Sequence, residues 1–287
     1  MTNVSPHNEQ MNQIEVENLE IDLLLDAVLR KYGYDFRSYS RASVKRRILK
    51  VMDKTRIDRI TDLIHAVLSD RDVFDTMLLT LSINVTEMFR DPTFFLAVRQ
   101  TVIPYLKTRD LIRIWHAGCA TGEEVYSMAI LLHEAELQKR YRIYATDLNE
   151  VVLKSAQDGM YPVDRIKEYT ANYQKAGGER SFGDYYNARY NSAILAKSLK
   201  DDIIFAKHNL TSDGVFSEMD MIVCRNVLIY FNRELQNHVL DLFAKSLAPG
   251  GILCLGSKES VTFSSHQGNF EVMVEREKIY RKREGGS

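Results

Sequence analysis

Residues Ile114 to Ala129 read IWHAGCATGEEVYSMA, an apolar run that breaks at a loop bounded by Gly118 and Gly122 and then resumes at helical spacing. A strand that turns through glycines into a helix is the opening unit of a parallel sheet covered by helices, so this stretch predicts an α/β fold. The unit recurs downstream. After LIRIWHA and VYSMAILLHEAEL come RIYATDL and NEVVLKSA, then the strand-like runs IIFAKHNL, MDMIVCRN and ILCLGS, with ELQNHVLDLFAKSL as a helix between the last two. The tail FEVMVEREKIYRKR has two extended halves and is expected to close the sheet as an antiparallel hairpin. Between Tyr161 and Asp202 the pattern weakens, which predicts a helical excursion followed by a small antiparallel β insertion at about 180–207.

The N-terminal third follows a different grammar. Ile21, Leu24, Leu25 and Val28, then Val44, Ile48 and Val51, then Ile60, Leu63, Ile64 and Val67, then Phe74, Met77, Leu78 and Leu81 all recur at helical spacing. They predict four short helices in a small helical domain over residues 1–85, ahead of an α/β domain over 86–287. A chain of 287 residues, 45% hydrophobic and 27% charged, is long enough for two such cores. The apolar stretches are strand-length, well short of the roughly 20 residues a membrane span needs, and MTNVSPHNEQ has no signal-peptide core. A cytoplasmic location is expected. Cys119, Cys224 and Cys254 form no CxxC pair, so neither disulfides nor a metal site is indicated.

The glycine loop should hold a ligand at the carboxyl ends of the strands. From Gly118 it reads G-C-A-T-G-E, not GxGxxG, and Glu123 and Glu124 would repel a pyrophosphate while welcoming an ammonium or sulfonium group. Asp147 ends the next strand, 25 positions after Gly122, where a carboxylate can take the two hydroxyls of a ribose. A ribose on a cationic ligand suggests S-adenosylmethionine. Asp147 could instead cap the helix NEVVLKSA, a role Asn149 could also fill.

Five strings in this order, NVTEMFRD (Asn84 to Asp91), GCATGEEVYSMA, IYATDLN, HNL (His208 to Leu210) and CRNVLIYF (Cys224 to Phe231), resemble the chemotaxis receptor glutamate methyltransferases, the CheR family. The resemblance implies a helical N-terminal domain and a Rossmann-like class I S-adenosylmethionine-dependent methyltransferase domain carrying a small β-subdomain. It also implies methyl-ester formation on receptor glutamates. Residue by residue, it places cofactor contacts at Asn84, Thr86, Arg90, Glu124, Asp147, Asn209, Leu210, Arg225 and Asn226, and puts Arg90 and Tyr230 near the transferred methyl as the catalytic pair. Val125 departs from a usual proline and Met88 from a common aromatic, while Gly118 and Cys119 stand where alanines are usual.

A glutamate side chain, with a reference pKa of about 4.3, is already ionised at neutral pH, so methyl transfer to it needs no general base. His116 and His208 are accordingly expected to pack or hydrogen-bond, since nothing in the sequence pairs either with an acid. Cys119 and Cys224 are expected to be small buried residues.

Arg37 to Arg59 contains nine Lys or Arg against Asp53 and Asp58, although the whole chain carries a formal net charge of −1. On a helical wheel Arg46, Arg47, Lys50 and Lys54 gather opposite Val44, Ile48 and Val51 and suggest a substrate-binding face for an acidic partner. Without interleaved aromatics, nucleic acid ranks below an acidic protein surface. In the family that surface is a helical coiled coil, the receptor methylation region. Some members also bind a C-terminal receptor pentapeptide as an extra strand. Here NARYNSAILAKSLKDDIIFA has no glycine to let a peptide approach, and Arg189 and Tyr190 crowd the turn, so that tether is not expected. The competing readings are a methyltransferase for RNA or a small molecule, and an S-adenosylmethionine-binding sensor or scaffold.

Overall fold

A computed structural model describes residues 11–82, 86–262 and 264–284. The chain divides into two compact units, one ending at Leu81 and the other beginning at Ser82. The first holds α1 (Gln13–Tyr32), α2 (Arg41–Thr55), α3 (Ile60–Ser69) and α4 (Arg71–Leu81). Asn12 starts α1 with a reciprocal cap: its side chain accepts from the Glu15 amide at 3.0 Å, and the Glu15 carboxylate accepts from the Asn12 amide at 2.8 Å. Gly33, at φ 78°, ends the helix. The periodic residues bury as a set: Ile21, Leu24, Leu25 and Val28 with Val44, Ile48, Val51, Leu63, Val67, Phe74 and Met77.

On α2 the basic residues do not share one environment. Arg46, Lys50 and Lys54 are exposed, but Arg47 is half-buried. Its guanidinium donates to the carbonyls of Thr80 (3.2 Å) and Leu81 (3.0 Å), and to Ser43 Oγ. A cation on the last carbonyls of α4 satisfies acceptors that the helix leaves open, so Arg47 is a cap and not part of a free basic face. Lys45 pairs with Glu17 and Arg41 with Asp22, acids that α1 supplies and that α2 read alone did not show.

The second unit begins with α5 (Pro92–Ala97), a π-helical turn and α6 (Ile103–Leu106). Then β1 (Ile112–Ala117), α7 (Glu123–Glu134), β2 (Tyr141–Asp147) and α8 (Glu150–Asp158) form the expected repeat. Next come β3 (Met160–Pro162), α9 (Ile166–Lys175), β4 (Tyr186–Arg189), β5 (Ser192–Leu195), α10 (Lys197–Lys200) and β6 (Ile203–Lys207). The chain then runs through β7 (Met219–Cys224), α11 (Arg233–Ser246), β8 (Leu247–Leu255), β9 (Phe270–Val274) and β10 (Ile279–Lys282).

The main sheet is ordered β6-β2-β1-β7-β8-β10-β9. The pairs from β6 to β8 are parallel, while β10 runs antiparallel to both β8 and β9, so the tail is the hairpin its two halves suggested. Every residue of α7 from Val125 to Leu132 is buried. The small sheet is β3-β5-β4, all antiparallel. Its third strand is Met160–Pro162, ahead of the expected interval, whereas Ile203–Lys207 at that interval's end pairs with β2 in the main sheet. A three-residue strand that follows a glycine and ends in a proline carries too little periodicity to be seen in sequence. Among the described residues, no helix is long and apolar enough to cross a membrane.

Candidate active site

Because β6, β2, β1 and β7 are parallel, their carboxyl ends share one edge of the sheet. Chain order reverses there between β1 and β7, which opens a crevice. The loop leaving β1 enters it. Gly118 and Cys119 donate their amides to the Thr146 carbonyl at 2.8 and 2.9 Å. Gly118 sits at φ 78°, and a Cβ there would come within 2.7 Å of Val227. Gly122, at φ 90°, is the N-cap of α7, and a Cβ would meet Ala156 at 2.9 Å. Glycine at both ends therefore lets the loop wedge between two neighbours.

Asp147 fixes the middle of that loop. One carboxylate oxygen accepts from the Ala120 amide at 2.9 Å and the other from the Asn149 amide at 3.0 Å. Burial raises its carboxyl above the ordinary value, against the lowering effect of those amides. The cap of α8 is Asn149, whose side chain accepts from the Val151 amide at 2.9 Å.

Glu124, in the first turn of α7, is ionised by its neighbours. Burial pushes its carboxyl up, but His116 Nδ1 at 3.3 Å and Arg225 Nη1 at 2.9 Å outweigh this and hold it below the ordinary value. His116 was expected to lack an acid; β1 and α7 bring it to Glu124. Arg225 reaches further, with Nη2 on Asp91 at 2.7 Å and its guanidinium 3.9 Å above the Phe94 ring. The segments NVTEMFRD and CRNVLIYF are thereby tied together. Arg225 Nε and His116 Nε2 are buried polar atoms without a hydrogen-bond partner among the described residues.

Glu123, next in sequence, behaves oppositely. It is buried, accepts from Thr121 Oγ1 at 2.6 Å, and burial raises its carboxyl to about 7. The two acids that open α7 are therefore not one anionic pair.

Sequence reasoning missed Glu259. Its buried carboxylate accepts the amides of Gly256 (2.6 Å), Asn226 (3.0 Å) and Ile229 (3.2 Å), and so shapes the turn Leu228–Tyr230. Glu259 follows β8 in an unremarkable SKES string, and no local pattern marks it.

Of the expected residues, Thr86, Arg90, Glu124, Arg225, Asn226 and Tyr230 line a single cleft, together with the loop from Gly118 to Ala120 and Val227. Asp147 lies behind Ala120, outside that lining. Asn209 and Leu210 follow β6, the strand beside β2; the Asn209 side chain folds onto its own loop, accepting from the Thr211 amide and hydroxyl. Asn84 lies outside the described residues. Cys119 and Cys224 are buried, and burial drives both thiols upward, away from nucleophilic use. The lining suits a cationic nucleoside ligand: an ionised glutamate and a glycine-bounded cradle beside a strand-end aspartate.

Residues 84–279 match the family described as CheR methyltransferase, SAM binding domain, and residues 19–82 match CheR methyltransferase, all-alpha domain. A Pseudomonas putida protein named as a methyltransferase, Cher3, is 51% identical over 265 residues, covering 92% of this chain and 97% of that protein. A chemotaxis protein methyltransferase of Listeria monocytogenes is 33% identical over 250 residues, covering 86% and 92%. Among solved structures, the N-methyltransferase NodS of Bradyrhizobium japonicum with S-adenosylhomocysteine aligns at a TM-score of 0.35 and 17% identity over 70% of this chain and 74% of that one.

Glu123 confers a pH dependence. Its folded value of about 7 exceeds the ordinary 4.5, so between them the folded chain holds a proton that the unfolded chain has released. Stability from this group is full below the lower value and falls as the pH rises to the upper one, by on the order of 2–4 kcal/mol. Glu123→Gln is expected to flatten that loss, so that its stability advantage over the parent in urea denaturation grows from about pH 5 to about pH 8. Parallel curves for parent and variant would assign the titration to another group.

Proposed function

The chain belongs to the CheR methyltransferase family, and from that premise we propose that it transfers a methyl group from S-adenosylmethionine to glutamate side chains of chemotaxis receptors in the cytoplasm. The observation that carries this reading is Glu124, kept ionised in the cleft that Arg90 and Tyr230 also line. When bound, the cofactor supplies a methyl group on a positively charged sulfur. Asp147 would take the ribose hydroxyls with the lone pairs its two amides leave free, and Glu124 would face the cationic end. Asn209 and Leu210 would meet the nucleoside beyond Asp147, while Thr86, Arg225 and Asn226 complete the wall.

The rest of the work is orientation. An ionised carboxylate attacking a cationic donor neutralises charge, so alignment and exclusion of water matter more than proton transfer. Arg90 can hold a carboxylate by two parallel hydrogen bonds, and the Tyr230 hydroxyl can aim the attacking oxygen. Arg46, Lys50 and Lys54 would meet the acidic coiled coil of the receptor's methylation region. Arg47 is left out of that face because it caps α4.

Labelled methyl donor and receptor cytoplasmic fragments provide the test. Base-labile methyl esters are expected on glutamates, with charge reversal at Arg46, Lys50 and Lys54 raising KM for the fragment and sparing cofactor affinity. Label found only on RNA or a small molecule would replace this reading with another methyltransferase class.

Two variants separate binding from transfer. Asp147→Ala should weaken S-adenosylmethionine binding by on the order of 2–4 kcal/mol in calorimetry, and Tyr230→Phe should leave binding nearly intact but slow single-turnover transfer. Unchanged affinity in a folded Asp147→Ala protein would remove the aspartate from the ribose site.

A C-terminal receptor peptide is not part of the proposed mode. The outer strand β4 is four residues long and ends in a two-residue turn, where Tyr190 stands 93% exposed at φ 53°. A tether-type pentapeptide should give no saturable fluorescence-anisotropy change at low micromolar concentration; saturation would mean that this edge does accept a strand.

A further inference from the structure

The turn Leu228–Tyr230 borders two openings. Tyr230 lines the cleft described above, while Leu228 and Ile229 help to wall a second pocket between the start of α11 and the segment after β8. Arg233 and Lys258 stand in that wall, both exposed. Neither pairs with an acid among the described residues. The one carboxylate in the lining, Glu259, is buried and directed to the amides of Gly256, Asn226 and Ile229, so it offers the cations little compensation. Ser260 and Thr262 add hydroxyls, and Leu240 adds an apolar wall.

We propose that this pocket is a second carboxylate subsite, which takes an acidic side chain of the same protein substrate whose glutamate enters the cleft. The proposal rests on the glutamate-methylating reading. Two cations and hydroxyls beside apolar residues match a side chain with an aliphatic stem and a charged head. Ile229 lines one opening and Tyr230, the next residue in the chain, lines the other, so the two openings are neighbours. On a helical substrate residues three or four positions apart share one face, so a helix that presents its reacting glutamate to Tyr230 can offer a second side chain of that face to Arg233 and Lys258.

The pocket is built in advance of any substrate. Gln236 Nε2 donates to the carbonyls of Leu228 (2.9 Å) and Phe231 (3.1 Å), which locks the turn to α11, while Glu259 locks it to the end of β8. Selectivity for an acid one turn from the methylated position follows from that rigidity.

The experiment uses the full chain, S-adenosylmethionine and a helical receptor cytoplasmic fragment, with and without Gln in place of the acids three and four positions from the methylated glutamate. R233S/K258S should raise KM for the acidic fragment about tenfold, with kcat and cofactor affinity unchanged; the parent should lose the same factor on the Gln fragment, and the double variant should lose nothing further there. Losses that simply add, or a KM that does not move while esters still form, would overturn the subsite. If the parent esterifies no glutamate at all, the methylation reading falls and the subsite falls with it.

Discussion

Arg225 is the contact on which the rest of the site depends. Its guanidinium lies within the protein with Glu124 on one side, Asp91 on the other and the Phe94 ring beneath it. Taking an arginine out of water is unfavourable by several kcal/mol unless its partners are well placed, and removing one partner of such a group typically destabilises by about 3–5 kcal/mol. The arrangement is therefore all-or-none in character. If Asp91 or Glu124 is displaced, Arg225 loses compensation, and the end of β7, the start of α7 and the segment before α5 move together. The same dependence has a sign in pH. Because Glu124 is held below its ordinary 4.5, its contribution is present above that value and is lost as the pH falls through the lower folded one.

The contrast between Glu123 and Glu124 shows why a carboxylate's role depends on its surroundings more than on its sequence position. Both stand in the first turn of α7, where the helix dipole favours negative charge. Glu124 faces a histidine and an arginine and stays ionised, whereas Glu123 is driven toward the neutral form by burial, which outweighs Thr121, Arg165 and Tyr169. Adjacent helical residues diverge by about 100°, so one enters the cleft wall while the other packs beneath the loop.

What the sequence made legible was local. The strand, glycine loop and helix beginning at Ile112, the tail hairpin and the helices before Leu81 all follow from periodicity, and five motifs marked the residues that meet at the strand ends. The unread parts depend on contacts between distant positions. Arg225 and Glu124 are separated by 101 positions and Glu259 lies 33 beyond Asn226, so no window of sequence reveals either pair. Arg47 was readable with stricter geometry. On the wheel it falls about 60° from Val44 and about 40° from Val51, beside the buried stripe, while Arg46 falls on the far side. The third strand of the β insertion escaped for another reason: Met160–Pro162 joins β5 across a helix, two short turns and β4, and three residues cannot show a period.

The cleft also concentrates backbone strain. Phe89, Asp91, Ala120 and Asn226 adopt positive φ values of 54°, 55°, 47° and 61°, a conformation that costs a non-glycine residue about 1–3 kcal/mol. Each is held by a bond from another element. Ser127 Oγ accepts the Phe89 amide, Arg225 grips the Asp91 carboxylate, Asp147 accepts the Ala120 amide, and Glu259 accepts the Asn226 amide. Three of the four holders are ionisable groups whose hydrogen bonds are each worth about 1.5–3 kcal/mol, comparable with the strain they oppose. The same groups that give the cleft its charge therefore also keep its walls in shape. A substitution meant to change only the charge of Asp147, Arg225 or Glu259 would also release a strained peptide.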